Sequence, residues 1–345
     1  MHLALLVGII LLRLPGFFPD FLLPEESLAF LAGQRVVEDG PLYMRTWYGG
    51  PPIMVWFMSG CYAVFGSYTT FFLRVISCLI VYLGAVFCHG MVNTFRPFEH
   101  TSYPVLWSFV LMACIPWFGL QMSTSLLVLL PILIAFQTVM SLGDQRTQNY
   151  RIMFRTGVLM MLCMLTTYKV IFITLGLLIA YFLRRRPQLD ELVSLLGGML
   201  VSFFGVAFVL FMTDSMAEFW NQGISFYLDR LRFSTPGEAY HQPLRETFLQ
   251  LLSHWGIFWV LGIMGFLYFR VRFFSYKVNI RSLETMMAAW FITGLMVLAF
   301  KFKRLELADA FLLIPPLSFY IGLSLNLKFL YPIRYGLLAL GLTLS

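Results

Sequence analysis

The chain encodes an all-α, polytopic transmembrane bundle, and three observations point there. Of its 345 residues 59% are hydrophobic and 12% charged. Apolar runs long enough to enter a bilayer recur from Leu3 to the C-terminus. The Lys and Arg residues gather in short stretches between those runs, as orientation signals do. No composition shift, fixed-period repeat or low-complexity tract divides the chain, so 1–345 reads as a single membrane domain.

The first span is expected at 3–18. No basic residue precedes it and no small-residue cleavage site follows Leu12, so it reads as a retained signal anchor. Further spans are expected at 70–91, 103–120, 123–141, 154–167, 170–183, 192–212, 248–269, 285–300, 308–325 and 335–345, about eleven in all. The last is shorter than the roughly 20 residues a crossing needs, so it is either re-entrant or cut short.

Basic residues fix the orientation. Arg96, the set Arg146, Arg151 and Arg155, the run Arg184 to Arg186, the group Arg270, Arg272, Lys277 and Arg281, and the pair Lys328 and Arg334 should all be cytoplasmic. They share one face only if 52–65 does not cross. That segment therefore reads as an amphipathic helix in the outer interface, started by Pro51-Pro52, with an ordinary short span as the alternative. Two long loops then face outward, 19–69 and 213–247. The stretches 154–167 and 170–183 have basic flanks and must cross twice. At about 14 residues each they reach only ~21 Å, short of a ~30 Å core, so their turn at Tyr168-Lys169 should be recessed below the outer surface.

The charge of +7 does not imply nucleic acid, given its placement in loops. The five cysteines lie in apolar runs without metal-type spacing and read as buried thiols. The five histidines are too dispersed for a metal site, and nucleotide-binding, serine-hydrolase and zinc-protease motifs are missing. Transmembrane acids that could relay protons are scarce, which argues against a small-solute transporter.

The outward face carries the unusual residues. Glu25 and Glu26 follow Pro24 at a helix start, with Leu28, Leu31, Ala32 and Arg35 at helical spacing behind them. Acids there either cap a solvated helix or serve as proton acceptor or cation ligand beside a phosphate. Lys169 between two apolar runs either snorkels or meets an anion. Arg13 and Arg74 at span ends read as interfacial anchors. Lys301, Lys303 and Arg304 sit on the wrong face for an orientation signal and call for an anion, either a lipid phosphate or the nearby Glu306 and Asp309. Trp220, Tyr227, Arg230, Arg232, Tyr240 and His241 suit either carbohydrate stacking or an interfacial belt.

The order of these features resembles the GT-C superfamily of membrane glycosyltransferases, in particular its polyprenyl-phosphate-sugar-dependent mannosyl and aminoarabinose transferases. Carrying the resemblance are Leu12-Arg13-Leu14-Pro15, Glu25-Glu26, Pro51-Pro52 with Phe65-Gly66, Arg74, the stretch from Gly157 to Lys169, Arg184-Arg185-Arg186, and the stretch from Lys303 to Pro316. Together they cover nearly the whole chain. The resemblance implies a GT-C-like bundle with juxtamembrane helices in the first outer loop. It implies transfer of a sugar from a polyprenyl-phosphate donor to a lipid or protein acceptor on the outer face. Glu25 would be the general base and Glu26 its support. Lys169, Arg74, Lys303 and Arg304 would hold the donor phosphate, while Arg45, Tyr48, Tyr240 and His241 would line the substrate site. A divalent cation is compatible with this set and is not required by it. Two departures stand out: Glu25 occupies a place where the family usually has Asp, and no acid follows Pro116, where a second one is common. Together with the shortness of the chain, they favour the competing reading, a non-catalytic GT-C-derived scaffold or lipid-binding partner in an envelope complex. No Asn-x-Ser/Thr acceptor occurs in the outward loops, which points to a bacterial inner membrane.

Overall fold

The computed structural model describes residues 2–17, 24–95, 102–114, 122–142, 146–184, 188–226, 244–275, 283–299, 307–325, 330 and 336–338. Among them helices α1 (His2–Arg13), α2 (Pro24–Glu38), α3 (Pro52–Phe65), α4 (Thr69–Phe95), α5 (Ser102–Cys114) and α6 (Thr124–Met140) come first. They are followed by α7 (Arg146–Met164), α8 (Val170–Arg184), α9 (Leu189–Met212), α10 (Leu244–Ser275), α11 (Leu283–Ala299) and α12 (Ile314–Leu325). No β-strand forms among the described residues, so the all-α expectation holds.

The bundle is layered by hydrophobicity. Every residue of α12 is buried, as is nearly all of α5 packed against it, and most of α6 is buried between α4 and α7, so these three lie in the interior. Helix α9 lies outside: Val193, Leu196, Leu200, Phe204, Phe208 and Phe211 are exposed. A helix showing that much apolar surface is suited to lipid rather than water. The helical run Pro52–Phe95 and the helix Leu189–Met212 are long and apolar enough to cross a membrane.

Several boundaries differ from expectation for identifiable reasons. Helix α7 starts at Arg146 rather than near 154. Its polar first turns are helical because Asn149 is buried and donates to the Glu191 carboxylate of α9 at 3.1 Å. At 19 residues it reaches ~28 Å, so the short-leg argument fails for this half of the hairpin and applies to the 15-residue α8 alone. The late span divides into a 3-10 stretch, Leu307–Leu313, and α12, whose first turn accommodates Pro315 and Pro316. Of the span expected at 335–345, only 336–338 fall among the described residues, as a short helical segment.

Helix α3 forms as expected, with proline at its start, and ends at Gly66. There φ is 55°, a left-handed value that favours glycine, and this turn separates α3 from α4. Helix α2 lies on α3 where a Cβ on Gly33 would meet the Met58 Cβ at 2.8 Å. The helix buries Glu26, Ala29 and Ala32, whereas Leu28 and Leu31, which shared a face in the sequence pattern, point outward. At its far end Glu38 accepts from Gln34 Nε2 at 3.0 Å and from the Tyr62 hydroxyl of α3 at 2.7 Å. These two donors hold the Glu38 carboxyl below its ordinary range.

Close helix approaches rest on glycine. A Cβ on Gly157 of α7 would collide with the Leu195 carbonyl of α9, and one on Gly198 of α9 with the Phe154 carbonyl of α7. The same holds for Gly265 of α10 against the Tyr320 carbonyl of α12. Such contacts let backbones approach closely in a setting where lipid is as apolar as the partner helix.

Gly157→Ala should destabilise the protein by about 1–3 kcal/mol through overpacking, read as a lower Tm in detergent. Gly205→Ala, at a position with open space around it, should stay within about 0.5 kcal/mol of the parent. Because the Glu38 carboxyl is held low, its contribution is present at neutral pH and fades as pH falls through its folded-state value. A carboxyl titration should therefore show a depressed midpoint that rises in Gln34→Ala.

Candidate functional site

Alternation of the helices brings one set of termini to a single end of the bundle: the end of α1, the starts of α2, α4 and α6, the α7–α8 turn, and the 3-10 stretch before α12. The placement of basic residues in the sequence would make this the outer end. Charged side chains are costly to bury there without a partner, and two ion pairs answer most of that demand among the described residues.

The first joins α2 to α4. Arg74 Nη1 and Nη2 donate to the Glu26 carboxylate at 2.5 and 3.1 Å, a two-pronged contact with both side chains at least 98% buried. Arg74 Nε donates to the Gly16 carbonyl at 3.1 Å, and the Met122 amide donates to Glu26 Oε1 at 3.1 Å. Four separate segments therefore meet on one pair. Beside it the buried Arg13 donates from Nη2 to Ser77 Oγ at 3.0 Å, and Ser77 Oγ donates to the Arg74 carbonyl at 2.7 Å.

The second pair joins the α7–α8 turn to the 3-10 stretch. Lys169 Nζ donates to both Asp309 oxygens at 2.9 and 2.8 Å, and Ser125 Oγ donates to Asp309 Oδ1 at 3.1 Å. Lys169 is 14% exposed and Asp309 is 2% exposed, so the ammonium is the accessible member. The start of α6 touches both pairs, through Met122 on one side and Ser125 on the other. Its own cap is Ser123, whose Oγ accepts from the Leu126 amide at 3.1 Å.

Above this layer the two outer loops are stitched together. The Tyr168 hydroxyl donates to the Gly223 carbonyl at 2.9 Å, and the Ile53 amide donates to the Leu165 carbonyl at 3.2 Å. Gln222, in a π-helical turn (Phe219–Ser225), donates to the Tyr43 carbonyl at 3.0 Å and accepts from the Tyr48 amide at 3.3 Å. Tyr43 has φ of 69°, which a bulky residue adopts only when held there. Its hydroxyl donates to the Gly50 carbonyl at 2.5 Å and its ring packs on Phe219. Burial pushes its phenol well above the ordinary range, so it remains a hydrogen-bond donor. Trp47 and Phe226, one from each loop, meet edge to face with ring centroids 5.3 Å apart.

The expected residues divide accordingly. Glu26 and Arg74 come together, and both are buried rather than solvated or anchored at an interface. Arg13 is likewise buried instead of anchoring. Lys169 joins them through the start of α6, and Arg45 is exposed while Tyr48 is half-buried in the first outer loop. The side chain of Glu25, together with Lys303, Arg304, Tyr240 and His241, lies outside the described residues. Asp309, considered in the sequence only as a neighbour of the 301–304 cluster, binds Lys169. Tyr43, Gln222 and Ser125 gave no sequence signal, because their roles depend on partners far away in the chain. Among the described residues no three His, Cys, Asp or Glu side chains gather as a metal site.

Among solved structures the chain resembles ArnT from Cupriavidus metallidurans, in a crystal structure with bound undecaprenyl phosphate. The match has a TM-score of 0.62 at 15% identity and covers 97% of this chain and 62% of that one. The chain thus spans less than two thirds of the length of that structural neighbour. No protein-family model and no curated relative matches the sequence. At 15% identity the likeness is one of fold: the chain shares the helical fold of the ArnT structure over nearly its whole length.

Glu26→Gln should cost about 3–5 kcal/mol, because it leaves Arg74 buried without its counter-charge. The double change Glu26→Gln with Arg74→Met should recover a large part of that loss, as measured by thermal unfolding in detergent.

Proposed function

We propose that this GT-C fold transfers a sugar from a polyprenyl-phosphate donor to a lipid or protein acceptor at the outer face of a bacterial inner membrane. The observation that carries the reading is the convergence of Glu26, Arg74, Lys169 and Asp309 on the start of α6, at the end of the bundle assigned outward. The undecaprenyl phosphate bound to the ArnT neighbour supports the choice of donor lipid.

In this reading the acceptor hydroxyl gives its proton to Glu25 as its oxygen attacks the anomeric carbon. The bond from that carbon to the phosphate oxygen breaks, and its electron pair stays with the departing lipid phosphate. Glu25 follows Pro24 in the first turn of α2, next to a Glu26 fixed by Arg74. A rigidly held neighbour is what a general base needs to keep its position. Lys169, the accessible cation, offers its charge to the donor phosphate, with Lys303 and Arg304 completing the positive field. Asp309 orients Lys169 and Ser125 orients Asp309. Arg45, Tyr48, Tyr240 and His241 belong to the two outer loops and line the sugar and acceptor. No step of this proposal uses a divalent cation.

A specific observation favours the second reading, a scaffold without catalysis. Arg74 and Lys169 already have carboxylate partners, so each pair is neutral before any phosphate arrives. Transfer of labelled polyprenyl-linked sugar in membranes separates the two. Glu25→Gln and Lys169→Gln should each lower transfer by about 10²-fold or more. Full activity in Glu25→Gln would remove that residue from the mechanism, and an inactive parent across several donors would favour the scaffold.

A further inference from the structure

Lys169 is the accessible member of its ion pair, yet only 14% of it is exposed. The turn that carries it is tied to both loops above. The Tyr168 hydroxyl donates to the Gly223 carbonyl at 2.9 Å, and the Leu165 carbonyl accepts from the Ile53 amide at 3.2 Å. Gln222 ties the two loops to each other. Its Nε2 donates to the Tyr43 carbonyl at 3.0 Å and to Glu218 Oε2 at 3.2 Å, while its Oε1 accepts from the Tyr48 amide at 3.3 Å. One side chain of the second loop thus brackets the segment 43–48 of the first.

Two unusual backbone conformations meet on that side chain. On one side is Tyr43, whose φ of 69° is costly for a bulky residue; on the other is the π-helical turn Phe219–Ser225, a geometry that proteins use sparingly and often at functional positions. Asp214, with φ of 52°, turns the chain off the end of α9 into this segment. Each strained conformation persists only while its contacts hold it. Backbones also meet closely here, since a Cβ on Gly223 would crowd the Phe219 ring at 2.9 Å and touch the Gly50 carbonyl at 3.4 Å. That same Gly50 carbonyl accepts from the Tyr43 hydroxyl. Breaking the Gln222 contacts would free both conformations at once, which is what a two-state element requires.

We propose that 216–226 and 42–50 form a lid over Lys169, that Gln222 is its clasp, and that releasing the clasp lets an anionic group reach the ammonium. The inference rests on the reading of Lys169 as the cation that meets the donor phosphate, and adds how that cation is uncovered. In the closed form Lys169 faces Asp309 and little solvent. An anion that binds only the open form has its apparent affinity scaled by the open fraction, so the clasp sets how readily the site accepts it. Closure over a bound donor would exclude water from the reacting carbon.

The test is the rate at which a water-soluble N-hydroxysuccinimide ester acetylates Lys169 in the purified full chain in nanodiscs, read by peptide mass spectrometry. Gln222→Met, which keeps the volume and removes the hydrogen-bonding ends, should speed acetylation by about tenfold, the population change expected from losing ordinary hydrogen bonds. Tyr168→Phe should act in the same direction by less. Gly205→Ala, at an open position of α9, should leave the rate unchanged. In sugar transfer Gln222→Met should lower the donor KM by a factor similar to the gain in acetylation, and lower kcat as water enters. Equal acetylation rates in the parent, Gln222→Met and Tyr168→Phe, a like acceleration in Gly205→Ala, or faster acetylation with an unchanged donor KM would each overturn the proposal. If Lys169→Gln abolishes transfer while the clasp variants leave acetylation and KM alone, the lid fails and the donor reading survives. If the parent transfers no sugar but acetylation still responds to Gln222→Met and Tyr168→Phe, the donor reading fails and the lid over Lys169 stands.

Discussion

Everything at this end of the bundle depends on neutralising the buried charge of Arg74. A guanidinium at the start of an apolar helix has to find a carboxylate, and Glu26 supplies it through two parallel contacts. Once the pair exists, the remaining oxygen capacity of Glu26 draws in the Met122 amide, and Arg74 Nε draws in the Gly16 carbonyl. The end of α1, the first turn of α2, the start of α4 and the approach to α6 are thereby fixed relative to one another. A buried pair of this kind contributes little net stability compared with apolar packing. What it contributes here is position, because other arrangements of the four segments would leave a charge unpaired.

The second pair extends the same logic across the bundle. Asp309 is held by Ser125 and in turn holds Lys169, so a residue of a short turn is fixed by residues of two distant elements. The opposite end of the bundle has its own clasp, in which Asn149 and the Tyr181 hydroxyl converge on Glu191 in the first turn of α9. Between the two ends apolar contact dominates among the described residues, with a few interhelical hydrogen bonds such as that between the Thr138 and Thr156 hydroxyls, and glycines at Gly157, Gly198 and Gly265 allow backbones to meet. Polar groups therefore set which helix ends meet, and small residues set how close the helices come. The loop layer is held differently, by hydrogen bonds from Gln222 and Tyr168 to backbone groups. That leaves Lys169 beneath a cover built from both outer loops, with Tyr43 held in a strained conformation by its contacts.

Much of the fold could be read in advance. Apolar runs marked the helices, the Pro-Pro start and Gly66 marked α3, and Glu25-Glu26 at a helix start marked the first loop as unusual. Errors arose where one rule was applied alone. The start of α7 was missed because Arg146 to Arg155 looked like a loop, and only the buried contact of Asn149 with Glu191 accounts for helix there. On α2 the helical spacing of Leu28, Leu31 and Ala32 left their direction open, and the structure buries Ala32 while Leu28 and Leu31 are exposed. In a membrane bundle the exterior is as apolar as the core, so a hydrophobic stripe does not say which side faces in.

The sequence by itself determined the class of the molecule, since sustained hydrophobicity with charges confined to its breaks admits only helices that satisfy their own backbone in lipid. It also determined which residues were too costly to be incidental. Which of them would meet was decided only by the tertiary structure. Glu26 and Arg74 are 48 residues apart and Lys169 and Asp309 are 140 apart, and at such separations electrostatic demand specifies that a partner exists without specifying which one. Packing made that choice, by bringing particular helix ends to one side of the bundle.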